Sequence, residues 1–202
     1  MAVWRARKPL ILASQSRIRQ TLLANAGLSF EVRPAAIDER AIQNSSGLTA
    51  PGEIAARLAH DKARSVSLQV PGRYVIGADQ TLACEGRLFN KPAGRAGAIE
   101  HLRALGGRTH ELHAAIAIVR DGELLFEDVS VARLTMRKLS EDAIAAYLDA
   151  TGDAVAASVG AYQLEGLGVH LFSRIEGDHF TILGLPLLPL LAFLRSRDLL
   201  SL

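Results

Sequence analysis

A chain of 202 residues that is 49% hydrophobic and 22% charged, with a net charge of +2, has enough apolar mass for one well-cored domain or two small lobes. Its near-balanced charge and aromatic content of 5% exclude a nucleic-acid platform, which needs a long basic surface and stacking rings. Cys84 is the only cysteine, so an internal disulfide and a cysteine metal cage are excluded, and a reducing cytoplasm is expected.

Arg5, Arg7 and Lys8 precede only a short apolar run, Leu10 to Ala13, which reads as a buried strand and not as a targeting segment. Ser14 and Ser16 follow where that strand hands over to a helix marked by Ile18, Leu22, Leu23 and Ala26 and stopped by Gly27. Two readings are open here. The hydroxyls and the first unpaired helix amides can converge on a phosphate, with Arg17 and Arg19 offering guanidinium groups that match phosphate oxygens. Alternatively, a serine caps the helix and the arginines are solvated.

Leu28 to Val32 reads as the next strand, and residues 33 to 50 as a polar loop carrying Asp38, Glu39 and Arg40. Pro51-Gly52-Glu53 then opens a helix predicted to run to about Ser67, with proline near its start and acid in its first turn. Its apolar stripe is Ile54, Leu58 and Val66, and the four-residue spacing puts Lys62 on the same inward face. That lysine either snorkels to the rim of the core or aims into an anion-binding cleft.

Tyr74 to Ala78 is predicted as a strand that delivers Asp79 at its carboxyl end, where ligands gather in open α/β sheets. A carboxylate there can orient a metal or take a proton from water, or it can cap a turn. Thr81 to Leu88 reads as a hairpin around Glu85-Gly86-Arg87 that returns the chain to Asn90-Lys91-Pro92. Ala98, Ile99, Leu102 and Leu105 mark a helix ended by Gly106-Gly107, and strands from Arg108 to Arg120 and Leu124 to Leu134 meet at Asp121-Gly122, a hairpin signal. Leu139, Ala143, Ile144, Tyr147 and Leu148 form a further helix before Gly160 to Gly168, a loop or short helix.

The run Thr181 to Leu194 is interrupted by Gly184, Pro186 and Pro189 and falls short of the roughly 18 residues a membrane span needs. It is expected to be a strand end, a turn and a closing helix. Alternating strand-like and helix-like periods, without repeats or linkers, make an α/β pattern.

Several motifs fail on inspection. The chain has no Gly-x-x-x-x-Gly-Lys-Ser/Thr loop, and Gly166-Leu167-Gly168 lacks the third glycine of a dinucleotide turn. His110 and His113 lie in a β pattern, where that spacing sends them to opposite faces and argues against zinc. Ser158-Val159-Gly160 is no nucleophile elbow.

Taken together, the fragments resemble one family. Ser14-x-Ser16 with Arg19 and Leu22-Leu23, Glu31 after Phe30, Lys62 before Ala63, Gly77-Ala78-Asp79, Lys91-Pro92, Gly106 to His110, Gly160-Ala161-Tyr162, Glu165-Gly166 and Gly184-Leu185-Pro186 stand in the order and spacing of the Maf-like nucleotide pyrophosphatases. The resemblance covers nearly the whole chain.

It implies an α/β fold with a mixed twisted sheet flanked by helices, elongated and two-lobed with a central cleft, as in the inosine triphosphate pyrophosphatase superfamily. It also implies hydrolysis of a nucleoside triphosphate to monophosphate and pyrophosphate with a divalent cation, Mg²⁺ or Mn²⁺, by a homodimer; the composition and the short apolar runs lead to the further expectation of a cytoplasmic protein without nucleic-acid or membrane partners. Carried over by position, the resemblance implies that Asp79 accepts the proton or holds the metal ion that activates the water, that Ser14, Ser16, Arg19, Lys62 and Lys91 hold phosphates, and that Glu31 is a metal or water ligand.

Subfamilies differ at the positions of Ile18, Gln80 and Glu165. Thymidine/uridine-type relatives usually carry Arg, Thr and Gln there, and the 7-methylguanosine triphosphate type carries Trp, Gln and Glu. Gln80 and Glu165 lean to the second group, Ile18 agrees with neither, and Arg17 replaces the family's usual proline. The resemblance therefore implies a broad preference leaning to guanine-like or modified bases. The competing expectation is a non-catalytic nucleotide-binding regulator of septum formation.

Overall fold

The computed structural model describes residues 3–152, 155 and 158–202. In chain order the elements are β1 (Leu10–Leu12), α1 (Arg17–Asn25), β2 (Phe30–Val32), α2 (Glu39–Ser45), α3 (Pro51–Ser67), β3 (Val75–Cys84), β4 (Arg87–Phe89) and α4 (Gly94–Leu105). They continue with β5 (Thr109–Arg120), β6 (Glu123–Met136), α5 (Glu141–Thr151), β7 (Phe172–Glu176), α6 (His179–Ile182) and α7 (Leu187–Ser196). Among the described residues the strands form one sheet of seven in the order β2-β1-β3-β5-β6-β7, with β4 paired to β3. β1 runs parallel to β2 and β3, whereas β4 and β7 run antiparallel to their neighbours. The sheet is therefore mixed and flanked by helices, the fold class expected.

The chain divides into two compact units. The first is Met1–Gln80, Ala114–Ser130 and His179–Leu202; the second is Thr81–His113 and Val131–Asp178.

In the first unit, neighbouring strand residues enter different cores. Leu10, Leu12, Ile76, Ala78, Ile116 and Ile118 are buried with Leu22 and Leu23 of α1 and Leu190 and Leu194 of α7. The residues between them, Ile11, Val75, Ala115, Ala117 and Val119, are buried with Ala55, Ala59, Ala63 and Val66 of α3. Alternate strand side chains point to opposite faces, so this part of the sheet is covered on both. Gly77 lets α3 come close: a Cβ there would lie 2.0 Å from the Ala59 carbonyl oxygen and 2.8 Å from the Ala63 nitrogen. The small residues Ala59 and Ala63 face that same point, and the close approach carries Lys62 to the strand.

In the second unit, α4 buries Ala98, Leu102 and Leu105, and α5 buries Ile144, Tyr147 and Leu148. Tyr162 packs edge-on against Phe172 at 4.8 Å between ring centroids, with His110 at 5.6 Å from Tyr162. His110 is buried and His113 half-buried, the alternation expected of a strand.

The helix from Pro51 ends at Ser67, and β5 and β6 are joined at Asp121-Gly122, as the sequence predicts. Three segments differ. Residues 39–45, expected as loop, form α2, which Asp38 caps by accepting from the Ala41 backbone N–H at 3.0 Å. No residue of α2 is buried, so there is no apolar stripe for periodicity to detect. Asp79 is not at a strand end, because β3 continues to Cys84 through its pairing with β4. The expected strand end at Thr181 is instead the last turn of α6, followed by Gly184 at φ +83°. Among the described residues no helix is long and apolar enough to cross a membrane.

Candidate functional site

Strand alternation also separates Asp79 from Gln80. Asp79 follows Val75 and Gly77 toward α3, while Gln80 follows Ile76 and Ala78 toward the α6–α7 corner. On the α3 side, Lys62 Nζ donates to Asp79 Oδ1 at 2.6 Å and also pairs with Glu39 Oε1 at 2.9 Å. Lys62 and Asp79 are each only 8% exposed, so this is a desolvated ion pair and not a snorkelling lysine. Removing either partner of such a pair strands a buried charge. Burial raises the Asp79 pKa above the usual carboxylate range, against the pull of Lys62 and Arg19. Part of that burial is thus offset by cations, the arrangement of a carboxylate kept ready to accept a proton.

The strand-to-helix junction after β1 supplies the second cation. Ser16 caps α1 by accepting from the Arg19 backbone N–H, and Ser14 Oγ accepts from the Ser16 N–H at 3.3 Å and from Arg19 Nη1 at 3.2 Å. The capping reading thus holds for Ser16, and Arg17 is exposed, but Arg19 is held by protein. Its Nε donates to the Gly184 carbonyl at 2.8 Å and its Nη1 to the Ala78 carbonyl at 2.7 Å. Burial pulls its pKa down, opposed by the Asp79 and Glu39 carboxylates. Among the described residues Nη2 meets no protein acceptor, which leaves a fixed, partly unspent donor group suited to an anion.

The first unit therefore brings together Ser14, Ser16, Arg19, Lys62 and Asp79, and adds Glu39, which the sequence reading left in a loop without a role. Its only signal was a carboxylate directly behind a capping aspartate. Glu31 is placed elsewhere: it pairs with Arg73 at 2.9 Å and Arg33 at 3.6 Å, and the Arg73 hydrogen bond holds its pKa below the usual range. Gln80 donates from Nε2 to the Thr181 carbonyl at 3.0 Å and the Ile182 carbonyl at 3.1 Å. Ile18 is half-buried against the core shared by α1 and α7. In the second unit, Lys91 lies exposed between β4 and α4, and Glu165 lies exposed in a turn.

The profile of the family described as Maf-like protein matches residues 9–197. This chain belongs to the Maf-like family. Among Maf-like relatives, a nucleoside triphosphate pyrophosphatase of Nitrobacter hamburgensis is 80% identical over 202 residues and covers 100% of both chains. A 7-methyl-GTP pyrophosphatase of Rhizobium etli is 54% identical over 190 residues, covering 93% of this chain and 95% of that one. Among solved structures, a HAM1 protein from Coxiella burnetii aligns with a TM-score of 0.44 and 18% identity, over 63% of this chain and 72% of that chain.

Proposed function

We propose that this Maf-like protein is a nucleoside triphosphate pyrophosphatase that hydrolyses its substrate to nucleoside monophosphate and pyrophosphate. The carrying observation is a buried carboxylate, Asp79, seated on Lys62 and within the field of a pre-set Arg19. A binder of phosphate needs the cations, but a carboxylate aimed at the same anion weakens binding and is useful only for chemistry. In the proposed step water attacks the α-phosphorus, the bond from that phosphorus to the bridging oxygen breaks, pyrophosphate leaves, and the water's proton passes to Asp79. Ser14, Ser16, Arg19 and Lys62 neutralise and orient the phosphates, which supplies most of the catalysis in such displacements.

The family resemblance also implies a divalent cation. The donor set fits one: Glu39 and Asp79 converge on a single ammonium, and Mg²⁺ is ordinarily held by one or two carboxylates with phosphate oxygens and water completing the shell. Among the described residues no group of three or more His, Cys, Asp or Glu could hold a metal, so the substrate has to complete the shell. In this proposal Glu39, which shares Lys62 with Asp79, would hold the ion in place of Glu31, which pairs with Arg73 and Arg33. When bound, the ion would offset phosphate charge and acidify the attacking water.

For the base, Glu165 and the 54% identical 7-methyl-GTP pyrophosphatase support a lean toward guanine-type substrates. The phosphate role of Lys91, the base role of Glu165, a homodimer and a cytoplasmic location are parts of the same proposal. The test is pyrophosphate release from ordinary and modified nucleoside triphosphates with Mg²⁺ or Mn²⁺, comparing the native chain with Asp79→Asn. Turnover that depends on Asp79 and on the metal is expected; turnover surviving the substitution would overturn the assignment, and none on any substrate would favour a nucleotide-binding regulator.

A further inference from the structure

Gln80 occupies a position that the family resemblance ties to base choice, yet its amide nitrogen is spent inside the protein. Both N–H groups point at consecutive carbonyls, Thr181 at 3.0 Å and Ile182 at 3.1 Å, the last residues of α6. One residue separates them from Gly184, whose carbonyl accepts from Arg19 Nε at 2.8 Å. Gly184 adopts φ +83°, and a Cβ there would meet both Arg19 Nη2 and Gln80 Oε1 at 3.4 Å. The corner is thus pinned from one side by Gln80 and grips Arg19 from the other. Ala78, the strand neighbour of Asp79, supplies the second backbone acceptor of the same guanidinium at 2.7 Å.

We propose that Gln80 is a positioning residue that sets the Arg19 guanidinium for phosphate through the Thr181–Gly184 corner. An arginine on its own would sample many rotamers; with Nε and Nη1 committed to backbone carbonyls, Nη2 is presented in one direction. α6 is a single four-residue turn, too short to be stable by itself; its corner is closed by the Gly184 N–H to the Thr181 carbonyl and the Leu185 N–H to the Phe180 carbonyl, each at 3.0 Å, and the two hydrogen bonds from Gln80 tie that corner to β3 and so to the strand that Arg19 also grips. Substitution at position 80 then acts on the phosphate half of any substrate, whatever its base.

The inference rests on the proposed nucleotide reading, and its test is separable from that reading. Binding of inorganic tripolyphosphate is measured by calorimetry for the native chain and for Gln80→Leu, which fills the space without donating. Affinity is expected to fall about tenfold, the scale of weakening one hydrogen bond to a charged group, and kcat/KM is expected to fall by a similar factor for every base. Unchanged tripolyphosphate affinity, or a loss confined to some bases, would overturn the proposal in favour of base reading. Should Gln80→Leu not fold by far-UV circular dichroism, Gln80→Met keeps the length of the side chain and removes its donors, and the same two results decide. Absence of turnover in a native chain that binds tripolyphosphate counts against the proposed reaction and leaves the positioning role standing.

Discussion

The two units each bury a polar pair, and the pairs solve the problem of burial differently. Lys62 and Asp79 are both ionisable to full charge and sit 2.6 Å apart, with Glu39 as an additional partner. His110 and Tyr162 are joined at 2.7 Å between Nε2 and the phenol oxygen, and burial holds both neutral: the imidazole pKa falls to about 4 and the phenol is pushed far up. Among the described residues His110 Nδ1 has no partner, a cost the unit bears in one buried acceptor or donor. A neutral pair of this kind shapes a core, whereas a charged pair is costly to bury and is retained where charge is used. The difference fits the proposed chemistry at the first unit's pair.

The largest effect expected follows from removing the charge. Asp79→Asn should lower kcat/KM by about 10²–10⁴-fold if Asp79 is the general base, with folding retained. The raised Asp79 pKa also predicts the pH profile: activity requires the carboxylate, so its acid limb lies above the usual carboxylate range. Lys62→Met removes the leading opposing influence and should move that limb to higher pH. The sign for stability is the reverse of the usual aspartate case. With its folded pKa raised, Asp79 favours the native state below its unfolded value, and that contribution is lost as pH rises through the folded value.

The neutral pair makes the opposite prediction. His110 titrates near 4 when folded and near 6.5 when free, so its contribution is present above pH 6.5 and lost as pH falls toward 4. The full span corresponds to about 3 kcal/mol. Urea unfolding at pH 7.5, 6 and 5 should show the native chain weakening on acidification more steeply than His110→Phe. Identical pH dependence in the two chains would remove the contrast between the pairs.

Gly77→Ala attacks the geometry that allows the charged pair. Its Cβ would fall 2.0 Å from the Ala59 carbonyl oxygen, so α3 has to move. Overpacking on this scale costs about 1–3 kcal/mol, read as a lower urea midpoint. Activity should fall by more than stability accounts for, since Lys62 rides on α3. A variant that loses stability but keeps kcat would show that the Lys62–Asp79 distance is not limiting.

Legibility followed packing. α3 could be read because Ile54, Leu58, Lys62 and Val66 share a buried stripe, and β1 because all three residues are buried. Lys62 was recognisable as an anomaly on that stripe, though its partner was not, because the register of α3 on β3 is set by Gly77 and no local pattern states it. Asp79 was found but misplaced at a strand end: the break in hydrophobicity at Asp79-Gln80 is a polar pair inside a continuing strand. Glu31 and Glu39 show the same limit. Both are acids near the first strands, and only the tertiary contacts show that Glu31 pairs with Arg73 while Glu39 joins Lys62 and Asp79. In the second unit, nothing local to His110 announced that Tyr162, 52 residues on, would be its partner.

The smallest expected effect tests how Glu39 is delivered. α2 has seven residues and none buried, so tertiary packing gives it little support and its cap carries more weight. Asp38→Ala removes the acceptor for the Ala41 N–H, a loss of about 1 kcal/mol for a helix of this kind. Because α2 contributes no core, that loss should appear as local fraying and not in the global unfolding midpoint. Amide exchange within residues 41–45 should speed up about fivefold, the equivalent of that free energy, while exchange in α3 stays constant. If Glu39 acts with Asp79 as proposed, kcat/KM falls modestly and by less than in Glu39→Gln, since fraying leaves the carboxylate on Lys62 for much of the time. Full activity in both variants would leave Glu39 without a part in the reaction and Arg19, Lys62 and Asp79 as the charged site.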